Sequence, residues 1–191
     1  SIQGRFLYVQ NVIRRGHCHK LDLLFLKLDI AKDFDSIHWG YLLEVLDAFG
    51  FWQRWRGIIS ILLASSSSHV MLNGCPGSPL THKQGLGQGD PLSPMLFILG
   101  MEPVQRLPLL ATEAGVLSPL PVTNARLRTS LYADDATDFI NPMQSEIFAL
   151  QGILSLFGDA SGLKCNPAKC VAYPVYCHNP LQVPRSPAQC G

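Results

Sequence analysis

Residues 131–140 read LYADDATDFI and carry two adjacent carboxylates, Asp134 and Asp135, between two short apolar stretches. This pattern predicts a strand, a tight turn and a second strand, with the acids at the tip of the hairpin. Because neighbouring like charges repel, folding alone gives little reason to pair them there. A divalent cation would convert that repulsion into attraction, and magnesium prefers hard oxygen ligands. The hairpin is therefore a candidate metal site, which a third carboxylate elsewhere in the chain would complete.

Asp29 is the best candidate for that third carboxylate. It lies near the end of residues 21–30, LDLLFLKLDI, an apolar stretch typical of a buried strand. An acid at the carboxyl end of a buried strand is poorly placed for stability and well placed for a functional site. If this strand and the hairpin share one sheet, their carboxylates form a cluster able to hold two metal ions about 3.5–4 Å apart, which serves phosphoryl or nucleotidyl transfer.

The rest of the chain alternates between helical spacing and short strands. Helices are predicted over residues 39–49, 51–63, 144–157 and from Pro91 to Pro103 or Pro108, and a strand over residues 67–73. Residues 74–90 are rich in glycine and proline and are predicted to be a loop. Four prolines interrupt the sequence after Tyr173, which predicts an irregular or disordered tail over residues 174–191.

The composition is that of a globular domain. Of 191 residues, 47% are hydrophobic and 15% are charged, which is enough apolar material for one domain with a core. The net charge of +1 is not the signature of a nucleic-acid binder, so a nucleic-acid partner would need basic surface supplied from elsewhere. One basic cluster occurs early in the chain and reads equally as a solvated turn: Arg14, Arg15, His17, His19 and Lys20.

The six cysteines include no CxxC pair, and nothing resembles a secretory signal, so we expect a reduced, intracellular setting. A zinc site is an alternative use of the late cysteines, but their spacing fits no standard finger. Its ligands would be Cys165, Cys170, Cys177 and His178. The uninterrupted apolar runs are far too short to span a bilayer, so no membrane partner is expected.

Four segments resemble the reverse transcriptases of non-LTR (LINE-type) retrotransposons, particularly those of plants. LKLDIAKDFDSI at residues 26–37 is similar to the first catalytic motif of that family, and KQGLGQGDPLSPMLFIL at residues 83–99 to the second. LYADDATDFI looks like the YADD motif, and FGDASGLKCNPAKC at residues 157–170 looks like the segment that follows it. Their order and spacing agree with the family, and the likeness covers residues 1–173.

The resemblance implies an α+β fold of the polymerase palm type, an antiparallel sheet with helices packed on one face. The implied activity is that of an RNA-directed DNA polymerase, which adds deoxynucleotides to a primer 3′ hydroxyl by two-metal nucleotidyl transfer. Its partners would be an RNA template, a DNA primer and deoxynucleoside triphosphates. Its cofactor would be two Mg²⁺ ions, with Mn²⁺ as a substitute. Target-primed copying would place such an enzyme in the nucleus.

The resemblance also assigns roles near the carboxylates. Asp29, Asp134 and Asp135 match the catalytic metal ligands, and the backbone carbonyl of Ile30 would complete a coordination sphere. Phe34 matches the aromatic gate that lies under the sugar and excludes a ribose 2′-hydroxyl. Simple core packing is the alternative role for Phe34.

Two further assignments concern the nucleotide. Gln88, Gly89 and Asp90 match the loop that lines the nucleotide and template pocket, although the same residues suit a glycine-rich turn that caps the next helix. Lys169 matches the lysine sometimes assigned to protonating pyrophosphate. Lys164 is a rival for that role, and either lysine suits an ordinary place on the surface.

The chain also departs from the family pattern. Gly87 stands where the family has an arginine, and Asp33 where it has a small residue, commonly alanine. We expect a partial reverse transcriptase domain over residues 1–173, with incomplete fingers and no thumb. These departures keep two alternatives open: a truncated, catalytically silent retrotransposon remnant, and a nucleic-acid-binding module without catalysis.

Overall fold

The computed structural model describes residues 2–30, 34–87, 89–122, 128–132, 135–166 and 168–176. In chain order its elements are α1 (Ile2–Cys18), β1 (Leu23–Leu28), α2 (Trp39–Ala48), α3 (Gln53–Ala64), β2 (Ser67–Leu72), β3 (Cys75–Thr81), α4 (Ser93–Glu113), β4 (Thr129–Tyr132), β5 (Asp135–Ile140), α5 (Gln144–Ser161) and β6 (Val171–Tyr176). They form two compact units, one of residues 1–32, 103–158 and 164–191 and one of residues 33–102 and 159–163. Among the described residues no helix combines the length and apolarity needed to cross a membrane.

The first unit is built on a four-stranded sheet with the order β4-β5-β1-β6. Every pairing in it is antiparallel, with Leu26 of β1 opposite Asp138 of β5 and Ala172 of β6. Strands β4 and β5 are a hairpin, as predicted, whereas β1 comes from the other end of the sequence. The prediction of mixed helices and an antiparallel sheet is therefore confirmed, including the pairing of the first apolar strand with the acidic hairpin.

The core of this unit lies between the sheet and α1. Val12 of α1 packs with Leu23, Val122 and Phe139, each at most 5% exposed. The Phe25 and Phe139 rings, from paired positions on β1 and β5, lie 5.4 Å apart. On the opposite face of the sheet Leu24 is also buried, as are Leu26 and Ile140. The centre of the sheet is therefore covered on both faces, which is more cover than the helices on one face that the sequence predicts.

The second unit contains α2, α3 and the β2–β3 hairpin. A turn at Gly85 joins two loops of this unit, because the Gly85 amide donates to the Ile37 carbonyl at 2.8 Å and the Leu86 amide donates to the Phe34 carbonyl at 2.6 Å. Gly85 has a φ of +85°, and a Cβ there would lie 2.6 Å from the backbone of Asp35. Glycine is therefore required at this position.

Two element predictions were wrong in extent. Residues 75–81 form strand β3 and not a loop, although the stretch contains Pro76 and Pro79. Proline has no N–H to donate to a neighbouring strand. It is tolerated here because the sheet has only two strands, so one edge of β3 has no partner strand. Helix α4 also continues through Pro103 and Pro108 to Glu113, past both predicted ends.

The two ends of the chain also differ from expectation. Helix α1, of 17 residues, was not predicted, and it contains most of the early basic cluster. Strand β6 runs through Tyr176, beyond the domain boundary predicted at Tyr173, because it completes the sheet against β1. The remainder of the predicted tail, residues 177–191, lies outside the described residues.

Candidate active site

The register of β1 and β5 determines how the strand that precedes Asp29 lies beside the acidic hairpin. Pairing ends at Leu28 opposite Ala136, so Asp29 and Asp135 are each the next residue beyond the last pair of this ladder. Asp29 follows directly on β1, which ends at Leu28. On the other side of β5, Asp135 pairs with Tyr132 of β4. Asp134 lies outside the described residues, and for Asp135 the structure describes the backbone alone.

The segment of residues 165–170 holds the backbone of Asp29. The Asn166 amide donates to the Asp29 carbonyl at 2.8 Å, and the Asp29 amide donates to Cys170 Sγ at 3.4 Å. Next to it, Ile30 forms an isolated antiparallel bridge with Cys165. The carbonyl of Ile30, predicted to reach a metal ion, is thus placed in a backbone that this bridge fixes.

Lys169 is the cation beside Asp29. Its Nζ lies 3.8 Å from Asp29 Oδ2, and the two side chains are 69% and 34% exposed. Such an exposed pair contributes little to stability, but it brings an ammonium group to the candidate site. Lys164, the rival, is also exposed, and no ion pair joins it to Asp29 in the described part of the chain. Lys169, and not Lys164, therefore lies beside Asp29, and the role of either lysine toward pyrophosphate stays a prediction.

The donor chemistry at this sheet edge suits a hard cation. Asp29 offers a partly exposed carboxylate directly after β1, and Asp135 is the first residue of the paired strand β5. Oxygen ligands of this kind are those that Mg²⁺ takes in proteins. Among the described residues no three histidine, cysteine or acidic side chains are arranged to hold a metal ion, and the ligand set predicted here includes Asp134, which is not among them.

The predicted gate, Phe34, belongs to the second unit. Its half-buried ring stacks on Phe97 of α4, with centroids 4.5 Å apart and planes 27° from parallel. Its carbonyl accepts the short bond from Leu86. Core packing, the alternative role for this residue, is therefore present, and the role as a gate stays a prediction.

The predicted nucleotide loop caps the start of α4. Asp90 Oδ1 accepts a hydrogen bond from the Leu92 amide at 2.9 Å, and the Asp90 carbonyl accepts one from the Ser93 amide at 3.2 Å. Gly89 has a φ of +90°, a conformation that favours glycine. These contacts are those of the capping turn that the sequence offers as an alternative. Gln88 and the Asp33 substitution lie outside the described residues.

A pair of thiols beside Asp29 is the feature that sequence reasoning missed. Cys165 Sγ and Cys170 Sγ lie 3.3 Å apart. Their mutual hydrogen bond lowers the pKa of Cys170 to about 7 and raises the pKa of Cys165 above its usual range. The signal was available, because both cysteines flank Asn166 and Lys169 within one motif. The other zinc ligands of the alternative reading, Cys177 and His178, lie outside the described residues.

The comparison with protein families gives a match to most of the chain. A family described as "Reverse transcriptase (RNA-dependent DNA polymerase)" matches residues 4–179. This match spans both strands of the candidate site and both units of the fold. The chain therefore belongs to the reverse transcriptase family.

Relatives place it among non-LTR retrotransposons, as the four motifs predict. The Transposon TX1 uncharacterized 149 kDa protein of Xenopus laevis is 36% identical over 71% of this chain, and 10% of that protein is covered. The Pol polyprotein of the type-2 retrotransposable element R2DM of Drosophila melanogaster is 29% identical over 85% of the chain, with 15% covered. The Pol polyprotein of the type-1 element R2 of Popillia japonica is 24% identical over 92%, with 29% covered. The chain thus spans less than a third of each of these proteins.

Proposed function

We propose that this chain is the catalytic palm of an RNA-directed DNA polymerase, which adds deoxynucleotides to a primer 3′ hydroxyl on an RNA template. The observation that supports this most strongly is the antiparallel register that ends with Leu28 opposite Ala136, because Asp29 and Asp135 are each the next residue beyond that pair. Two strands that are far apart in the sequence pair in one register to give this arrangement. A purely structural sheet gains nothing from two acids at that edge, because like charges across strands destabilise it.

Asp29, Asp134 and Asp135 would hold two Mg²⁺ ions, with Mn²⁺ as a substitute. When bound, the ions would activate the primer hydroxyl as a nucleophile and neutralise charge on the leaving pyrophosphate. The protein's own work is positioning: the backbone bonds of Asn166 and Cys170 fix Asp29 at the end of its strand.

Other residues have roles away from the metal ions. The Lys169 ammonium group is placed beside Asp29, where it can give a proton to pyrophosphate as that group leaves. Phe34, held by Phe97, limits the space at the sugar 2′ position and so selects deoxynucleotides. Gln88, Gly89 and Asp90 line the nucleotide and template. The relatives are far longer, so the surface that grips the duplex would come from segments other than this one.

A silent remnant is the second candidate, and specific observations favour it. Asp138 lies in the centre of β5 with no exposed surface and no hydrogen-bond partner of normal geometry for either carboxylate oxygen in the described residues. Gly87 removes a cation that the family carries beside the nucleotide loop, and the net charge is only +1. A chain no longer selected for activity accumulates such losses while the fold persists.

Primer extension distinguishes the two candidates. The 191-residue chain is given oligo(dT) on poly(rA), dTTP and Mg²⁺, and extension is compared with that of Asp29→Asn and Asp135→Asn. A matched control is Asp159→Asn, which changes an exposed carboxylate on α5. We expect extension by the wild type and the control, and background signal from the two site variants. Equal extension by Asp29→Asn would contradict the proposed metal site.

Metal binding gives a readout that does not need activity. Calorimetric titration with Mn²⁺ should show binding to the wild type that Asp29→Asn weakens and Asp159→Asn leaves unchanged. Binding without extension supports the remnant, in which the ligands outlast the enzyme. In that case Gly87→Arg tests the missing cation, because restored extension would assign the loss of activity to that position. Absence of specific Mn²⁺ binding would contradict the polymerase and leave the remnant as the reading that fits.

A further inference from the structure

The two thiols beside Asp29 are brought together by the sheet. Cys165 bridges Ile30, and Cys170 directly precedes Val171, which pairs with Lys27 of β1. Both ends of the segment of residues 165–170 are therefore anchored to the same strand and its extension. The Sγ atoms lie 3.3 Å apart, and Cys170 is 4% exposed while Cys165 is half-buried. A disulfide has an S–S bond of about 2.0 Å, so a movement of little more than 1 Å would join them.

The segment of residues 165–170 contacts three groups of Asp29. The Asp29 amide donates to Cys170 Sγ, the Asp29 carbonyl accepts from the Asn166 amide, and the Asp29 carboxylate faces Lys169 Nζ. Cys170 also donates its S–H to the Asn166 carbonyl at 3.2 Å. A disulfide has no S–H, so oxidation removes that last bond and closes a short ring through Asn166 and Lys169. The oxidation state of the pair therefore acts directly on the residues that hold Asp29.

We propose that Cys165 and Cys170 are a redox-active dithiol that a peroxide oxidises to a disulfide, and that the disulfide constrains the segment holding Asp29. This proposal rests on the geometry of the segment and is independent of polymerase activity. Exposed Cys18 and Cys75 serve as internal references, because they are free thiols of ordinary exposure.

The chemistry balances with hydrogen peroxide as the oxidant. One sulfur, as thiolate, attacks a peroxide oxygen; the O–O bond breaks, leaving a sulfenic acid and a hydroxide ion that takes up a proton as water. The second sulfur attacks the sulfenic sulfur, the S–O bond breaks, and a second water leaves. The two sulfurs together lose two electrons, and the peroxide gains them. A dithiol reductant reverses the step by thiol–disulfide exchange.

The test is peptide mapping after treatment with hydrogen peroxide. Trypsin cleaves after Lys164, Lys169 and Arg185, so a disulfide links the peptide of residues 165–169 to that of residues 170–185. Because the second peptide also contains Cys177, the map is repeated on a variant in which Cys18, Cys75, Cys177 and Cys190 are serine. We expect the linked pair, with loss of two hydrogen atoms, in both proteins. Separate thiols, or separate sulfinic acids, at the two positions in the wild type would overturn the proposal.

An arsenical probe tests proximity without oxidation. Phenylarsine oxide forms two As–S bonds to a close dithiol, so it should bind the serine background on the order of a hundredfold tighter than Cys165→Ser or Cys170→Ser made in that background, since the second bond is intramolecular. Equal affinity in all three would overturn the proposal.

Hydrogen exchange tests the effect on Asp29. The Asn166 amide, which donates to the Asp29 carbonyl, should exchange on the order of tenfold more slowly in the disulfide form, because the closed ring restricts local opening. An equal rate in both forms would overturn the constraint on this segment.

Discussion

Two buried carboxylates of the first unit, Glu146 near the start of α5 and Asp138 in the middle of β5, have opposite surroundings. They are 2% and 0% exposed. Glu146 accepts hydrogen bonds from the Ser118 amide at 2.9 Å and the Asn141 side chain at 2.8 Å, and it pairs with Arg128 at 3.4 Å. Neither oxygen of Asp138 has a partner among the described residues.

Their pKa values move in opposite directions for this reason. Burial acts to raise the pKa of Glu146, but the hydrogen bonds from Asn141 and Ser118 outweigh it and hold the pKa below its usual value. Burial raises the pKa of Asp138 to about 7, and the charge of Arg128 only partly offsets it. The Thr129 hydroxyl and the Phe139 backbone lie near Asp138 without forming bonds of normal geometry. Burial alone therefore does not determine the free-energy cost of an ionised carboxylate in the core. That cost depends on the hydrogen-bond donors that replace water.

The largest predicted effect on stability comes from a substitution of Glu146, the carboxylate that has hydrogen-bond donors. Glu146→Gln keeps an oxygen for the Ser118 amide but leaves the Arg128 guanidinium buried without its counter-charge. We expect the free energy of unfolding at pH 7 to fall by about 3–5 kcal/mol, measured by urea denaturation. Glu113→Gln, at an exposed position on α4, is the control and should change it by less than about 0.5 kcal/mol.

The pH dependence of this loss has a definite sign. Because the pKa of Glu146 is lowered in the folded state, its stabilisation is present above the ordinary value of 4.5 and is lost as the pH falls through the folded value. The difference between wild type and Glu146→Gln should therefore be full at pH 7 and shrink below pH 4.5. A difference independent of pH would show that packing, and not charge, explains the loss.

A somewhat smaller effect of opposite sign is expected at Asp138. Asp138→Val replaces the unpartnered acid with a β-branched side chain opposite Leu26 in the sheet. We expect the free energy of unfolding at pH 8 to rise by about 2–4 kcal/mol, since a buried charge without donors is removed. The control is Thr137→Val, the neighbouring residue on the other face of β5, which should alter stability by less than about 1 kcal/mol.

The pH dependence of the stability gain shows whether it comes from removing the Asp138 charge or from the shape of the valine side chain. The folded state keeps the proton on Asp138 up to about pH 7, whereas the unfolded chain releases it near 3.8. The wild type therefore loses stability as the pH rises between these values and no further above them. The gain from Asp138→Val should grow from pH 4 to pH 7 and then level off. A gain that is constant with pH would mean that folding does not shift the pKa of Asp138.

The sequence was sufficient to predict that β1 pairs with the acidic hairpin, and it was not sufficient to predict the surroundings of Asp138 inside the sheet. Asp29 was predicted to meet the hairpin because an apolar strand ending in an acid has few other uses, and the pairing of β1 with β5 agrees. The metal ligation itself stays a prediction. Asp138, by contrast, looks in the sequence like the polar member of an alternating strand. Its lack of a partner depends on what covers the sheet, which no local pattern specifies.

Dependence on distant residues also explains the other features that the sequence did not predict. Arg128 and Glu146 are 18 residues apart, and their pairing depends on how the start of α5 returns to β4. Residues 75–81 form a strand despite two prolines because β2 is available to pair with them, which is a property of the hairpin and not of the composition. Local sequence predicts elements well where one face or one charge pattern dominates, and poorly where a distant partner decides.

The smallest predicted effect is the coupling energy between Arg128 and Glu146, which separates their ion pair from the other contacts of Glu146. In a double-mutant cycle of Arg128→Met and Glu146→Gln, the double variant should be more stable than the sum of the single losses implies by about 0.5–3 kcal/mol, because each single change leaves the other group buried without its charge partner. The matched cycle uses Arg56 and Asp47, a partly exposed pair 2.9 Å apart whose side chains are 26% and 61% exposed. Water reaches this pair far more than the buried one, so its coupling should be at most about 1 kcal/mol. If the two cycles gave equal coupling, the donors around Glu146, and not Arg128, would account for the contrast with Asp138.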